Sequence, residues 1–341
     1  MVERRGHDGG RRVVAIGGGT GLPVVLAALK RYLGTHVADL TAVVTVTDDG
    51  GSSGRLREEL RILPPGDIRN CLVALAEVEP LMAELFQFRF GGDGALAGHS
   101  FGNLFLAALA GVTGNFLQAI RISSKVLAVR GTILPSTLES VTLGAELTDG
   151  SIVRGESKLH HGTRPVRRVF LDPATVRALP EVLEAIDRAD AIVLAPGSLY
   201  TSLAPNLLVG GLADALRQVA ALRVYVANLM TEPGETDGLT LGDHLEALYA
   251  HGGRGLVDGV VVHGRPFRRD VLRRYEKVGA RPVVLDRERV HALGVWVTEA
   301  DLAGPTELAR HHPEKLARVL LRLIRHGGPV RETAATVPEW T

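Results

Sequence analysis

The chain has 341 residues, of which 45% are hydrophobic and 23% are charged, and its formal net charge is +1. This composition is typical of a soluble globular protein with an ample core, in one large domain or two small ones. Because 39 Lys and Arg residues nearly cancel 38 Asp and Glu residues, the charge gives no support for a nucleic-acid partner. No apolar run approaches the roughly 20 residues of a membrane-spanning helix, which argues against membrane insertion.

The single cysteine and the start of the chain indicate a cytoplasmic protein. Cys71 has no second cysteine with which to form an intrachain disulfide, and its apolar helical surroundings favour a core position. The first residues lack the apolar core and cleavage site of a signal peptide. We expect polar tails at 1–11 and 328–341 to be disordered, which leaves a single domain over 12–327.

Strand-like and helix-like segments alternate along most of the chain. An apolar run at 12–16 ends in glycines, and apolar residues then follow at helical spacing from Leu22. A second strand is predicted over 40–46, and a helix begins near Asp67, whose carboxylate is expected to cap it. Further strands are predicted at 191–194, 223–227, 257–262 and 282–285. This alternation predicts an α/β fold: a Rossmann-like, mostly parallel sheet flanked by helices.

The middle of the chain has a different pattern. Short β-rich pieces alternate with turns at 148–150 and 160–162. They predict a small antiparallel β-rich insertion over about 125–170, placed between the two halves of the sheet.

A glycine-rich loop, GGGTG at 17–21, follows the first strand and opens a helix. Free backbone N–H groups and the helix dipole favour a phosphate at such a position. The dinucleotide fingerprint fails, because Leu22 stands where the third glycine of G-x-G-x-x-G would fall. The loop therefore predicts phosphate or nucleotide contact of another kind, and the alternative is a glycine turn needed only for packing.

Two adjacent acids, Asp48 and Asp49, follow the second strand in the segment TDDGGSSG. Open α/β sheets bind ligands at the edge where parallel strands end. Three roles compete here: ligation of Mg²⁺, hydrogen bonding to sugar hydroxyls, and capping of the GGSSG turn. Contact with a ligand is favoured over a firmly bound metal.

Two later motifs carry further polar side chains at predicted helix starts. GHSFGN contains His99 and Asn103, each either a base or ligand contact or else a cap or buried hydrogen-bonding group. APGSLYTS follows a buried strand, and its Gly197, Ser198 and Thr201 offer amides and hydroxyls for an anion. The acids between 228 and 248 divide evenly between turn or cap roles and ligand contact. Zinc spacing and a G-x-S-x-G elbow are absent from the sequence.

Six segments, in this order, resemble one family: GGGTGL, TVTDDGGSSGRLR, PPGDIRNCLVALA, GHSFGNL, APGSLYTSLAPNLLV and NLMTEPGETDG. They are similar to the bacterial gluconeogenesis factors, which are UDP-sugar-binding regulators of cell shape. That family is in turn similar to the 2-phospho-L-lactate transferases, which share the GGTG and DDGG loops. The resemblance implies a Rossmann-like core that binds UDP-N-acetylglucosamine and a role in cell-wall synthesis and in growth on gluconeogenic carbon sources.

The resemblance also implies which residues contact the ligand. Tyr275 and Arg310 are expected UDP-sugar contacts, since a tyrosine can stack on uracil and an arginine can pair with a diphosphate. The contacts implied within the quoted segments are Gly18, Gly19, Thr20, Gly21, Asp48, Asp49, Asn103, Gly197, Ser198 and Thr201.

Three functions remain open on the sequence. A cytoplasmic UDP-sugar-binding regulator is favoured, because ligand loops are present and no nucleophile and base pair is evident. A transferase that moves a phospho-acid group from a nucleotide diphosphate is the second, with Mg²⁺ held by Asp48 and Asp49. A nicotinamide oxidoreductase is the third, and NAD could occupy the same pocket as a dinucleotide.

No further cofactor is required on this reading. A cell-wall or metabolic protein partner and a homodimer are both compatible with the sequence, which demonstrates neither.

Overall fold

A computed structural model describes residues 10–159 and 165–329. The predicted turn at 160–162 and nearly all of the predicted tails lie outside the described residues. Residue 11 is an exception at the start, because the first strand already begins there. In the described part of the chain, no helix is long and apolar enough to cross a membrane.

Ten strands form two sheets. They are β1 (Arg11–Gly17), β2 (Val37–Val44), β3 (Thr132–Pro135), β4 (Thr142–Leu147), β5 (Ile152–Arg154), β6 (Val166–Asp172), β7 (Ala191–Leu194), β8 (Leu222–Val226), β9 (Gly259–His263) and β10 (Trp296–Ala300). The larger sheet has seven strands in the order β10-β9-β8-β7-β1-β2-β3, and every neighbouring pair is parallel. The smaller sheet has the order β5-β4-β6 and is antiparallel.

Helices connect the parallel strands. They are α1 (Gly21–Lys30), α2 (Gly51–Leu60), α3 (Gly66–Leu75), α4 (Pro80–Gln87), α5 (Phe101–Thr113), α6 (Phe116–Val126), α7 (Glu156–Leu159), α8 (Pro180–Asp187), α9 (Ala204–Leu208), α10 (Leu212–Gln218), α11 (Leu241–Gly252), α12 (Arg269–Glu276), α13 (Arg287–Ala292) and α14 (Pro313–His326). A π-helical turn over Leu199–Leu203 precedes α9. The predicted Rossmann-like α/β fold with a small antiparallel sheet is confirmed.

The core lies on the central strands, which read as continuous apolar runs because helices cover both faces of a parallel sheet. All four residues of β7 are buried, and so are Val13 to Gly17 of β1. Cys71 is fully buried on α3, and burial raises the pKa of its thiol well above the usual value. The prediction of a core cysteine is thus confirmed.

The structure differs from the sequence prediction at the edges of the β-rich insertion. Residues 132–135 form β3 of the parallel sheet, where Leu134 pairs with Val43 of β2. The segment just before them ends α6. The antiparallel sheet therefore begins only at β4, and the apolar run at 132–135 had the length and composition of either kind of strand.

The last predicted strand was also wrong. Residues 282–285 make only isolated bridges, from Pro282 to Met230 and from Val284 to Thr240. Pro282 has no N–H to donate to a ladder. The seventh parallel strand is instead β10, which pairs with β9; its exposed edge residues gave it no continuous apolar run.

Chain order and strand order reverse between β1 and β7. The chain runs outward from β1 through β2 to β3, and later from β7 through β8 and β9 to β10. The loops after β1 and β7 therefore leave the sheet in opposite directions, and open α/β sheets bind ligands in the crevice at such a switch point. Both predicted anion loops follow these two strands.

Candidate functional site

The two glycine-rich loops lie against each other at the switch point. A Cβ atom on Gly21 would stand 1.6 Å from the carbonyl oxygen of Pro196, so only glycine permits this contact. Gly18 is similarly enclosed, since a Cβ there would stand 2.4 Å from Cγ2 of Thr45. Gly19 has a φ of +58°, which favours glycine. Close packing therefore explains several glycines of this loop without a ligand.

The first loop already holds an anionic group of the protein itself. The N–H of Gly19 donates to Oδ2 of Asp67 at 2.7 Å. The prediction that Asp67 caps its own helix was wrong: α3 has Pro65 at its N-cap and no side-chain cap. Loss of solvent around the carboxylate raises the pKa of Asp67 to about 6, although the Gly19 hydrogen bond lowers it in part. Sequence reasoning missed this long-range role.

The second loop is occupied in a similar way. Gly197 donates its N–H to Oδ1 of Asn228 and accepts from Nδ2 of the same side chain, both at 2.8 Å. The N–H of Tyr200 donates to Oε1 of Glu235 at 2.7 Å. Burial raises the pKa of Glu235, and the charge of Glu232 raises it further. The buried Thr201 also donates its amide to Glu235.

Thr20 and Ser198 stand apart from these satisfied residues. Each is the N-cap of a helix, and neither side chain makes a capping hydrogen bond. In the part of the chain that the structure describes, their amide and hydroxyl groups have no hydrogen-bond partner. One lies on each loop, so donors from both sides of the crevice remain for a ligand.

Acidic residues gather beyond the end of β2. Oδ1 of Asp48 accepts from the N–H of Gly50 at 2.9 Å, and Oδ1 of Asp49 accepts from the N–H of Ser157 at 2.7 Å. Glu156 accepts a hydrogen bond of 2.9 Å from Oγ1 of Thr47. Burial raises the pKa of Glu156 well above its usual value, and nearby Asp48 and Asp67 raise it further. Turn capping is therefore one role of both predicted acids.

The predicted metal role of Asp48 and Asp49 stays a prediction. Within residues 10–159 and 165–329, no group of three or more Asp, Glu, His or Cys side chains is placed to hold a metal ion. Mg²⁺ can bind through one or two carboxylates when substrate phosphates and water complete its shell. The acids thus fit a metal that arrives with a phosphorylated ligand better than a permanently bound ion.

Asn103 and His99 belong to one buried hydrogen-bond network. Nδ2 of Asn103 donates to Oγ of Ser52 at 3.0 Å, and Oγ of Ser52 lies 2.9 Å from Nδ1 of His99. Burial lowers the pKa of His99, and the charge of Arg55 lowers it further, so its ring is neutral at pH 7. Ser52 can then donate to Nδ1. Sequence reasoning did not foresee this serine and histidine pair.

Tyr275 and Arg310 lie near each other, as far from the glycine loops as the sheet is wide on that side. The hydroxyl of Tyr275 accepts from the N–H of Ala309 at 3.1 Å, next to the exposed Arg310. Both residues follow β9 and β10. β9 lies three strands from β1, or roughly 14 Å at the usual strand spacing. The structure therefore places them at the same sheet edge as the loops.

A cleft of about 290 Å³ lies between these two groups. Asn228, the partner of Gly197, lines it together with Val262 at the end of β9 and Leu272 of α12. Most of its other lining residues are apolar. The cleft continues the crevice from the second loop toward α12, which carries Tyr275.

The acids between 232 and 243 act mainly as caps and turn residues. Asp243 and Thr240 form a capping box at the start of α11. Oδ2 of Asp237 accepts from the N–H of Gly234 at 2.6 Å. Glu235, described above, holds the π-helical turn. The cap interpretation is confirmed for these residues.

Comparison with known proteins gives a consistent family. A model of the family described as 2-phospho-L-lactate transferase CofD matches residues 13–303. The gluconeogenesis factor of Halalkalibacterium halodurans is 49% identical over 312 residues, which cover 91% of this chain and 96% of that protein. The gluconeogenesis factor of Bacillus subtilis is 46% identical over 315 residues, which cover 92% of this chain and 98% of that protein.

The fold comparison agrees. A crystal structure of a Bacillus halodurans protein has a TM-score of 0.88 and 48% sequence identity to this chain, and the match covers 92% of this chain and 99% of that one.

Proposed function

Since the chain belongs to the CofD family and is similar over most of its length to the gluconeogenesis factors, we propose that it is a nucleotide-sugar-binding regulator of that type. The family resemblance predicted from the sequence is thereby confirmed. UDP-N-acetylglucosamine is the proposed ligand, and the proposed role is in cell-wall synthesis, cell shape and growth on gluconeogenic carbon sources. The proposed location is the cytoplasm.

The observation that carries this proposal is the pair of unsatisfied helix N-caps at the switch point. Thr20 and Ser198 present amide and hydroxyl donors without protein partners, one from each glycine-rich loop. Donors of this kind at helix N-termini suit phosphate oxygens. The diphosphate of a nucleotide sugar is proposed to lie between them.

The remaining ligand contacts follow from the shape of the sheet edge. The apolar cleft beyond Asn228 suits a base or sugar, and Tyr275 and Arg310 lie at its far side. The span of roughly 14 Å from β1 to β9 is comparable with an extended nucleotide sugar. Asp48 and Asp49 are proposed to meet sugar hydroxyls at the other side of the crevice.

Isothermal titration calorimetry with UDP-N-acetylglucosamine, UDP and NAD tests the proposal. Replacing a hydroxyl that bonds a phosphate removes about 1.5 to 3 kcal/mol, or tenfold or more in affinity. We expect such a loss for Thr20→Val and for Ser198→Ala. Thr35→Val removes an exposed hydroxyl that bonds Tyr32 and serves as the matched control. Unchanged UDP-sugar affinity in both folded variants would contradict the proposed location.

A transferase remains the second candidate because of the acids at the end of β2. Asp48, Asp49, Asp67 and Glu156 act on one another electrostatically, and such a group attracts a divalent cation. Turnover separates the two functions: the ligand is recovered after titration with and without Mg²⁺ and checked for chemical change. Recovery of intact UDP-sugar in both cases supports the regulator, whereas an altered ligand supports the transferase.

A growth assay tests the regulatory part. The intact gene and the Thr20→Val variant are introduced into a bacterial strain that lacks its own gluconeogenesis factor. Growth on a gluconeogenic carbon source is expected from the intact gene and reduced growth from the variant. Equal growth with a variant shown to have lost UDP-sugar binding would contradict a ligand-dependent role.

A further inference from the structure

Arg69 is a buried arginine whose guanidinium group is mostly unsatisfied. The residue is 7% exposed, and its Nε and Nη1 atoms are buried without a hydrogen-bond partner. Only Nη2 is paired, with Oδ1 of the neighbouring Asn70 at 2.7 Å. The stem lies against α5, because a Cβ on Gly102 would stand 2.8 Å from Cγ of Arg69. Buried guanidinium donors are costly unless an acceptor or counter-charge meets them.

Two further arginines surround the same place. Arg89 and Arg55 each bond a backbone carbonyl at 2.5 Å, from Gly98 and Ala97 respectively. Within the described ranges, none of the three arginines forms an ion pair with a carboxylate. Burial lowers the pKa of Arg69, and the nearby charge of Arg89 lowers it further. Asp67 and Asp48 oppose that shift from the loop side without pairing with Arg69.

The hydrogen-bond network beside Arg69 contributes an unsatisfied acceptor. Asn103 is 2% exposed and follows Gly102 on α5, and its Oδ1 atom is buried without a partner. Its Nδ2 atom is committed to Ser52, which is joined to His99. The neighbourhood therefore combines buried cationic donors with one buried neutral acceptor.

We propose that Arg55, Arg69 and Arg89, with Asn103, form a second binding site for an oxyanion that also carries a hydroxyl hydrogen. The oxyanion bonds the guanidinium of Arg69, and its hydroxyl donates to Oδ1 of Asn103. A hydrogen phosphate group has this chemistry, and so does a hydroxycarboxylate. The site goes beyond the proposed function, because it needs neither the glycine loops nor a nucleotide.

The acceptor makes the site selective in a testable way. Phosphate retains a proton near neutral pH, whereas sulfate does not, so Asn103 should reward phosphate alone. Calorimetric titration of the full chain at pH 6.5 with inorganic phosphate, sulfate, lactate and acetate measures this. Tighter binding of phosphate than of sulfate by tenfold or more supports a phosphate ligand, and tighter binding of lactate than of acetate supports a hydroxycarboxylate. Equal binding within both pairs, or no binding of any probe, overturns the site.

Variants link the binding to the arginines. Arg69→Met keeps a long apolar stem without the charge, and it should weaken the preferred anion by at least tenfold. Arg89→Met changes an exposed residue with little risk to folding and should weaken it about threefold or more. Arg121→Met, at an exposed arginine paired with Glu181, is the matched control. Unchanged anion affinity in folded Arg69→Met and Arg89→Met overturns the proposal.

A second titration separates this site from the nucleotide-sugar site. Arg69→Met should keep the UDP-N-acetylglucosamine affinity of the unmodified protein, whereas Thr20→Val should keep the anion affinity. Loss of UDP-sugar binding in Arg69→Met would place the arginine in the other site and overturn the existence of a separate one.

Discussion

The glycine loops and the arginine cluster lie at the same edge of the sheet, but their hydrogen-bond donors differ in what they meet. Around the loops, Asp67, Asn228 and Glu235 accept the backbone N–H groups that looked most suited to an anion. Around Arg69, buried side-chain donors meet no acceptor of the protein. The comparison teaches that a donor-rich motif is not in itself a ligand site: what matters is whether the fold already satisfies its donors.

The largest expected effect tests how tightly the two loops are packed. In Gly21→Ala the added methyl group meets the carbonyl of Pro196, so the loops must separate. We expect the free energy of unfolding to fall by more than about 3 kcal/mol and Tm to fall by at least about 5 °C. Calorimetric unfolding measures this. Gly91→Ala is the control, because a Cβ there has open space around it; a similar loss in both variants would refute the packing argument.

A satisfied donor should be costly to deprive of its partner. Asn228→Ala leaves both the N–H and the carbonyl of Gly197 unpaired, and we expect a loss of about 2 kcal/mol in the free energy of unfolding. Asn228→Asp keeps the acceptor and loses the donor, so its loss should be smaller. Urea denaturation of the three proteins gives the comparison. If Asn228→Ala is as stable as the unmodified protein, the second loop is not held by this side chain.

The internal carboxylate of the first loop predicts a pH dependence. The pKa of Asp67 is raised to about 6 from an ordinary value near 3.8, so its protonated form stabilises the fold below about pH 4 and that stabilisation is lost as the pH rises through 6. Asp67→Asn does not titrate. Its free energy of unfolding, relative to the unmodified protein, should therefore rise between pH 4.5 and 7.5, by about 1 to 2 kcal/mol after solvent screening.

Urea denaturation at the two pH values measures this change. Asp39→Asn, at an exposed acid near the opposite edge of the sheet, gives the baseline for removing one carboxylate. A difference between Asp67→Asn and the unmodified protein that does not vary with pH would contradict the raised pKa.

The smallest expected effect has the opposite sign. Removing the unsatisfied charge of Arg69 by Arg69→Met should raise the free energy of unfolding by about 1 kcal/mol when no anion is present. Arg121→Met removes an exposed, paired arginine and should change it by less than about 0.5 kcal/mol. Thermal unfolding in phosphate-free buffer measures both. A clear loss of stability in Arg69→Met would mean that the guanidinium is satisfied after all, and the contrast between the two regions would fail.

Much of the fold could be predicted from local patterns. The apolar runs of β1, β2 and β7 and the glycines that end them are features of consecutive residues, and they indicated a parallel sheet with loops at one edge. β10 was missed because it is a half-exposed edge strand without a continuous apolar run. Pro282–Leu285 was misassigned because a short run of apolar residues does not reveal whether another strand lies beside it.

The sequence by itself determined which residues could bind an anion, since glycine loops and hydroxyl-bearing N-caps are local features of the chain. Only the tertiary structure decided which of them are free to do so. Asp67 reaches Gly19 across 48 residues of sequence, and Asn228 reaches Gly197 across 31. Thr20, Ser198 and Arg69 are left without such partners. The physical reason is that a buried polar group is satisfied by whatever the fold brings near it, and that neighbour is set by packing rather than by sequence distance.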